Sequence, residues 1–406
     1  MRPQRPSLFL AVLLGLPSML VLSTGAFCLL VDPFGLYRAL PVRDGFNAHK
    51  PRQKGHERMV RAADLTRLRP DALILGTSRS QVGLDPDASV WAGVAERPAN
   101  AAFSDGSSYE ALRYLQHAHS RSPIKLVVFG ADFLSFVGSD RHQNDFTETR
   151  LAVSRTGEPQ PLFAFDDVPS ALLSVDALRI SRRTVLEQDQ DSYFFDTGRR
   201  RTNTMAARIE EQGGARGAFV WSERDYAQSY ACVKPARLET HLADFDALVA
   251  WCAAQHIRLV VFFSPSHVRS LALLQVAGLW PEVERFKQAL ADRELELWDF
   301  SGADVRTTAE PVPPLHGATT RTRWYWESSH YKKELGDVVL ARMLGKPVDP
   351  ELEGWGRRVT KEDASASSAR ISEELSMWMR AHPEDVAELE RAWAEAKASA
   401  ACGGAR

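Results

Sequence analysis

Residues Pro70–Pro86 read PDALILGTSRSQVGLDP, and the way this stretch changes character decides the fold. Its first half is short and apolar without alternation, which predicts a strand over Asp71–Leu75 buried on both faces of a sheet. The second half breaks into Gly76-Thr77-Ser78-Arg79-Ser80, a small polar turn. A serine just after a strand has two readings. It caps the next helix, or it is a nucleophile displayed at the strand's carboxyl end.

Working outward, the same kind of apolar run recurs in IKLVVFG, RLVVFFSP and LELWDFSG. Between these runs lie segments with helical spacing. SYEALRYLQHAHS places Ala111, Leu112, Leu115 and Ala118 on one face, and HLADFDALVAWCAAQHI does the same with Leu242, Phe245, Leu248, Val249 and Cys252. WPEVERFKQALADR opens with Pro281 near its start. Strands that alternate with helices and are apolar throughout predict an α/β fold: three α/β/α layers around a central, mostly parallel sheet. Ligands of such sheets bind beyond the carboxyl ends of the strands. The turn at Ser78 lies at one such end.

Leu8–Val31 holds 24 residues and no charge, enough to cross a bilayer as a helix. Pro17 within it is tolerated in a membrane helix. A signal anchor is the expected reading, with Arg2 and Arg5 holding the N-terminus inside. A cleaved signal peptide ending in STGAFC is the alternative. Phe27 stands where a lipoprotein signal needs a small residue before Cys28. The expected organisation is a cytoplasmic head over 1–7, a transmembrane anchor over 8–31 and a connector with a helix over 32–69. An α/β domain follows over 70–345, with an insertion at about 133–234, and then a helical tail over 346–406.

Composition narrows the classes. Apolar residues make up 44% and charged residues 25% of the 406, as in ordinary globular proteins. A formal net charge of −2 lacks the basic field of a nucleic-acid-binding protein. The four cysteines form no CxxC or Cys/His spacing for zinc. A Cys232–Cys252 disulfide suits an oxidising compartment, while Cys252 on the apolar face of a helix also reads as a buried free thiol.

A serine hydroxyl attacks only when a base takes its proton, and that base needs an orienting group. Far downstream, RWYWESSHYKKELGDVVLARML sets Glu327 three residues before His330 at a loop-to-helix junction. Both side chains can then converge above the sheet. Ser80 is the alternative nucleophile, and Asp299 or Asp304 the alternative orienting carboxylate. Trp324, Tyr325 and Trp326 either stack on sugar rings or belong to the core. No metal or diffusible cofactor is implied.

ILGTSRS resembles the nucleophile block of the SGNH/GDSL-type hydrolases, and WESSHY resembles their closing Asp-x-x-His block, with Glu327 in place of the aspartate. Over residues 70–345 the resemblance implies a flavodoxin-like sheet and catalysis by Ser78, His330 and Glu327. NAAFSDGSSYE is similar to the second block, so the Gly106 amide is expected to join the Ser78 amide in an oxyanion hole. The third block is Gly-x-Asn in the family, and here it reads Gly130-Ala131-Asp132. An ionised Asp132 only accepts hydrogen bonds and would repel an oxyanion. Asp132 is therefore protonated, or paired with Arg79, or the third donor lies elsewhere.

With its apolar N-terminus the chain is similar to membrane-anchored envelope members of that superfamily, among them the alginate-acetylation proteins and the D-alanine transfer protein of teichoic-acid modification. The resemblance implies an O-acyltransferase or esterase outside the cytoplasm. Its substrate would be a polysaccharide or acyl ester, and its partner a membrane-bound acyl-transfer protein. The alternative is a carbohydrate-binding or scaffold subunit without turnover.

Overall fold

A computed structural model describes residues 6–138, 140–314 and 321–399. Arg2 and Arg5, at the N-terminal side of the apolar segment, lie outside the described residues. The chain divides into two compact units, one made of 1–67 and 145–195, the other of 68–144 and 196–406.

The larger unit is built on six strands: β1 (Ala72–Leu75), β2 (Pro98–Asn100), β3 (Leu126–Ala131), β4 (Arg258–Phe263), β5 (Glu296–Asp299) and β6 (Arg357–Val359). Their order is β2-β1-β3-β4-β5-β6. Every neighbouring pair is parallel except β5 and β6. This is the expected α/β architecture with a central, mostly parallel sheet.

Apolar strand residues serve both faces. Ile74, Val128, Val260 and Phe262 pack with Leu335 and Val339 of the Lys333–Met343 helix. Successive strand residues point to opposite faces, so the intervening ones meet other helices. Phe129 lies 5.3 Å from Phe245 of the Arg237–Ala254 helix, and Phe263 lies 5.5 Å from Phe286 of the Trp280–Ala291 helix.

The sequence reading had placed neither β2 nor β6. Each is three residues long, and β6 reads Arg-Arg-Val with two exposed arginines, so neither carries an apolar run. The expected tail from 346 onward is thus part of the α/β unit, supplying an edge strand and the helices Ala364–Ala381 and Pro383–Ser399. The expected insertion is also narrower. Residues 145–195 join the N-terminal unit, while the Ala215–Ala231 helix belongs to the α/β unit. Cys252 is a buried free thiol, so a bridge to Cys232 is not made.

In the smaller unit, the N-terminal helix Pro6–Val31 contains a 22-residue segment, Leu10–Val31, with mean hydropathy 2.0. Its length and composition allow it to cross a membrane; a signal sequence has the same character. A small core of Phe34, Met59, Val60, Ala171, Tyr193 and Phe194 follows the end of this helix.

Candidate active site

The strand order reverses at β1. The chain moves from β1 to β2 on one side and to β3 on the other, which makes the carboxyl ends of β1 and β3 the switch point of the sheet. Ser78 follows β1 and Asp132 follows β3.

Local chemistry shapes the turn. Gly76 has φ +133°, and a Cβ there would lie 2.8 Å from the Gly130 carbonyl oxygen. Only glycine fits that conformation and approach. Thr77 caps the short helix Ser78–Gly83, its hydroxyl oxygen accepting from the Arg79 N–H at 3.3 Å. The Ser78 N–H therefore sits in the first turn, where helix amides lack intrahelical acceptors. Asn100 on β2 holds this helix from behind, donating to the Ser80 and Leu84 carbonyls at 2.9 Å each.

His330 arrives on a tight hairpin. The Trp326 N–H donates to the His330 carbonyl at 2.9 Å, and the Lys332 N–H to that of Trp324 at 2.7 Å. Glu310 organises the base of this hairpin by accepting from the Arg323, Trp324 and Tyr325 amides at 2.7, 2.8 and 3.1 Å. Tyr331 packs flat on Gly83, where a Cβ would lie 2.0 Å from its ring. Gly336 lets the next helix touch the Gly83 carbonyl, since a Cβ there would meet that oxygen at 1.8 Å. The serine helix and the histidine hairpin are thereby held in one register.

At the junction, His330 Nε2 lies 2.8 Å from Ser78 Oγ. The other ring nitrogen, Nδ1, hydrogen-bonds Glu327 Oε1. The buried Glu327 carboxylate also accepts from the Ser329 and His330 amides, both at 2.9 Å. Burial alone would raise its pKa. The His330 charge, its hydrogen bond and the Ser329 amide outweigh burial and hold it down at about 2. An ionised Glu327 requires Nδ1 to carry the proton it donates, leaving Nε2 as the acceptor toward Ser78.

The neighbours of Ser78 sort out as follows. Asp132 is buried and paired with Arg79 Nη1 at 3.0 Å, and it accepts from the Thr77 hydroxyl. Of the three alternatives for this residue, pairing with Arg79 is the one observed. Burial disfavours the Arg79 cation, but Asp132 more than compensates, and its pKa is raised. Arg79 Nε donates to Ser329 Oγ at 2.8 Å, linking the serine turn to the histidine hairpin.

Several expectations need correction. The Gly106 N–H donates to the Phe103 carbonyl at 3.2 Å, so it is not free to receive an oxyanion. What Gly106 provides is room: a Cβ there would lie 2.6 Å from the Gly76 carbonyl oxygen. Ser80 is fully buried against Gly76 and Gly130, which excludes it as the nucleophile in this conformation. Asp299 is taken by Lys287 at 2.7 Å and Asp304 by Arg306 at 2.6 Å, so neither orients His330. Trp324 and Tyr325 belong to the core and present no face to a sugar; Trp326 is only half-buried.

Sequence reasoning missed the Ala215–Ala231 helix behind the histidine hairpin. Ser222 Oγ donates to the Phe219 carbonyl at 2.9 Å and lies 3.0 Å from Ser328 Oγ, beside Glu327 in the chain. Burial raises the pKa of Tyr226 on the same helix. Ser222, Tyr226 and Tyr230 recur at every fourth position, a helical signal that was present in the sequence. Among the described residues no group of His, Cys, Asp and Glu is arranged to hold a metal ion. No family model matches this chain, and no curated protein is significantly similar to it.

Proposed function

We propose that this protein is a membrane-anchored, SGNH-like serine acyltransferase or esterase that works outside the cytoplasm on an envelope polysaccharide or exopolysaccharide. The observation that carries the reading is the chain of contacts Ser78 Oγ–His330 Nε2 and His330 Nδ1–Glu327, closed by two backbone amides on the carboxylate. His330 takes the Ser78 proton as Oγ attacks an ester carbonyl, and Glu327 stabilises the imidazolium that forms. The Ser78 amide receives the developing oxyanion. Collapse of the tetrahedral intermediate expels the donor alcohol, protonated by His330, and leaves an acyl-serine. His330 then deprotonates the acceptor, a sugar hydroxyl or water, which attacks the acyl-serine and frees Oγ.

A carbohydrate-binding subunit without turnover is the second reading. It is favoured by Asp132, an acceptor where a donor is expected, and by the engaged Gly106 amide. One experiment separates the two. Under the enzyme reading, wild type labels with a fluorophosphonate probe and turns over p-nitrophenyl acetate, and Ser78→Ala abolishes both. Folded wild type that neither labels nor turns over ends the enzyme reading. Competition between a polysaccharide acceptor and water for the acyl group distinguishes transferase from esterase.

A further inference from the structure

The smaller unit carries apolar surface that its own core does not cover. Leu162, Phe165, Leu173, Val175 and Leu178 are 72%, 66%, 50%, 76% and 40% exposed, and Val42 is 73% exposed. Leu173, Val175 and Leu178 lie on or between two consecutive helices, Val168–Leu172 and Val175–Leu186, and Leu162 and Phe165 on the short turn before them. Both of these helices pack against the N-terminal helix.

The level of that contact matters more than the exposure. A Cβ at Gly25 would lie 3.0 Å from Leu173 Cδ2, so the corner between the two helices meets the N-terminal helix at Gly25. Gly25 is six residues before the end of the apolar segment at Val31. At a rise of about 1.5 Å per residue this is about 9 Å back into the span. A segment of 22 residues just covers a hydrocarbon core of about 30 Å. Leu173 therefore lies at or below the boundary between headgroups and hydrocarbon whenever this helix crosses a bilayer.

The end of the N-terminal helix is knitted into the same unit. Cys28 and Val31 are fully buried, Lys50 Nζ donates to the Val31 carbonyl at 2.7 Å, and Asn47 Nδ2 to that of Leu30 at 3.4 Å. Asn47 Oδ1 accepts from the Arg43 N–H at 2.7 Å, which brings the loop bearing Val42 to this end as well. Arg179, Arg182 and Arg183 are all exposed on the Val175–Leu186 helix; Arg179 lies 3.7 Å from Asp176, and Arg182 and Arg183 extend the basic rim beyond that pair. An apolar corner followed by arginines is what an interfacial helix presents to acyl chains and phosphates.

We infer that residues 162–183 form a membrane-embedded collar around the exit of the N-terminal helix, with Leu173, Val175 and Leu178 in the acyl-chain boundary and the arginines on anionic headgroups. The inference rests on the anchor reading of that helix. It adds that the anchor is continuous with a folded, lipid-immersed platform and is not a free tether.

The test uses the full chain in nanodiscs of phosphatidylcholine and phosphatidylglycerol, with a diazirine amino acid placed singly at Leu16, Val175 or Leu178. These side chains are exposed, so the substitutions do not touch the core. Phospholipid adducts at all three positions are the expected result. Lipid adducts at Leu16, with only water or protein adducts at Val175 and Leu178, overturn the collar and leave the anchor standing. Absence of lipid adducts at Leu16 overturns the anchor and the collar together. Replacing phosphatidylglycerol with phosphatidylcholine should lower the adduct yield at Leu178; an unchanged yield removes the headgroup role of the arginines.

Discussion

At the residue scale the candidate site depends on which hydrogen-bonding capacities are already used. Glu327 is filled by His330 and two amides, so its charge and direction are fixed before any substrate arrives. Glu327→Gln keeps the shape but removes the charge that selects the Nδ1–H tautomer. Ester turnover should fall on the order of 10⁴-fold, read as kcat with p-nitrophenyl acetate; a loss under about tenfold would contradict the triad. The pairing of Ser78 with His330 was legible in the sequence because both residues sit at boundaries where apolar pattern gives way to polar turn. The state of Asp132 was not, because nothing in Gly130-Ala131-Asp132 says whether a cation is near it. His267, a buried histidine outside the trio, makes a stability prediction. His267 Nδ1 accepts from the Arg269 N–H at 3.3 Å, and its Nε2 contacts the Glu310 carbonyl oxygen at 2.9 Å. Burial holds its pKa down at about 3 in the folded protein, against 6.5 for the unperturbed group. The unfolded chain then binds the proton first, so stability falls as pH drops from about 6.5 toward 3, by up to about 1.4 kcal/mol per pH unit. Urea melts at several pH values check this, and His267→Gln should flatten the slope.

At the element scale the serine helix and the histidine hairpin act as one piece because two glycines let their backbones touch. Gly336→Ala would drive a methyl group into the Gly83 carbonyl, and the helix must move to admit it. The expected result is a loss of roughly 1–3 kcal/mol in thermal unfolding, together with slower fluorophosphonate labelling as His330 drifts from Ser78. A loss of stability with labelling unchanged would mean that the register does not set the site. The helical periods and parallel strands of this unit were readable because each buries a continuous face. The short β2 and β6 were not, since a strand of three residues has too few positions to show a period. The Ala215–Ala231 helix was read as insertion because its stripe of Ser222, Tyr226 and Tyr230 is polar, although it supports the Glu327 loop.

At the scale of the whole α/β unit, the C-terminal helix is tied to the helices behind the site by buried charge. Arg269 is fully buried and meets Glu223 at 2.7 Å, Asp385 at 2.5 Å and Glu388 at 3.0 Å. Glu223 is next to Ser222, so the network ends one residue from the side chain that meets Ser328, the neighbour of Glu327. Asp385 and Glu388 also pair with Arg216, so Arg269→Ala strips its ion pair from the buried Glu223 alone and should cost about 3–5 kcal/mol, measured by denaturant unfolding; Arg269→Lys should recover only part of it, because an ammonium lacks the planar fork. A cost below about 1 kcal/mol would show the network to be solvated. From the sequence alone came the α/β class, the apolar N-terminal segment and the candidate trio Ser78, Glu327 and His330, because hydrophobic periodicity and turn chemistry are local properties of the chain. Tertiary structure alone decided that Asp132 pairs with Arg79, that the Gly106 amide is engaged, that Trp324 and Tyr325 are core, and that residues 145–195 join the N-terminal unit. Each of these depends on which distant group a side chain or amide meets, and local pattern carries no record of that.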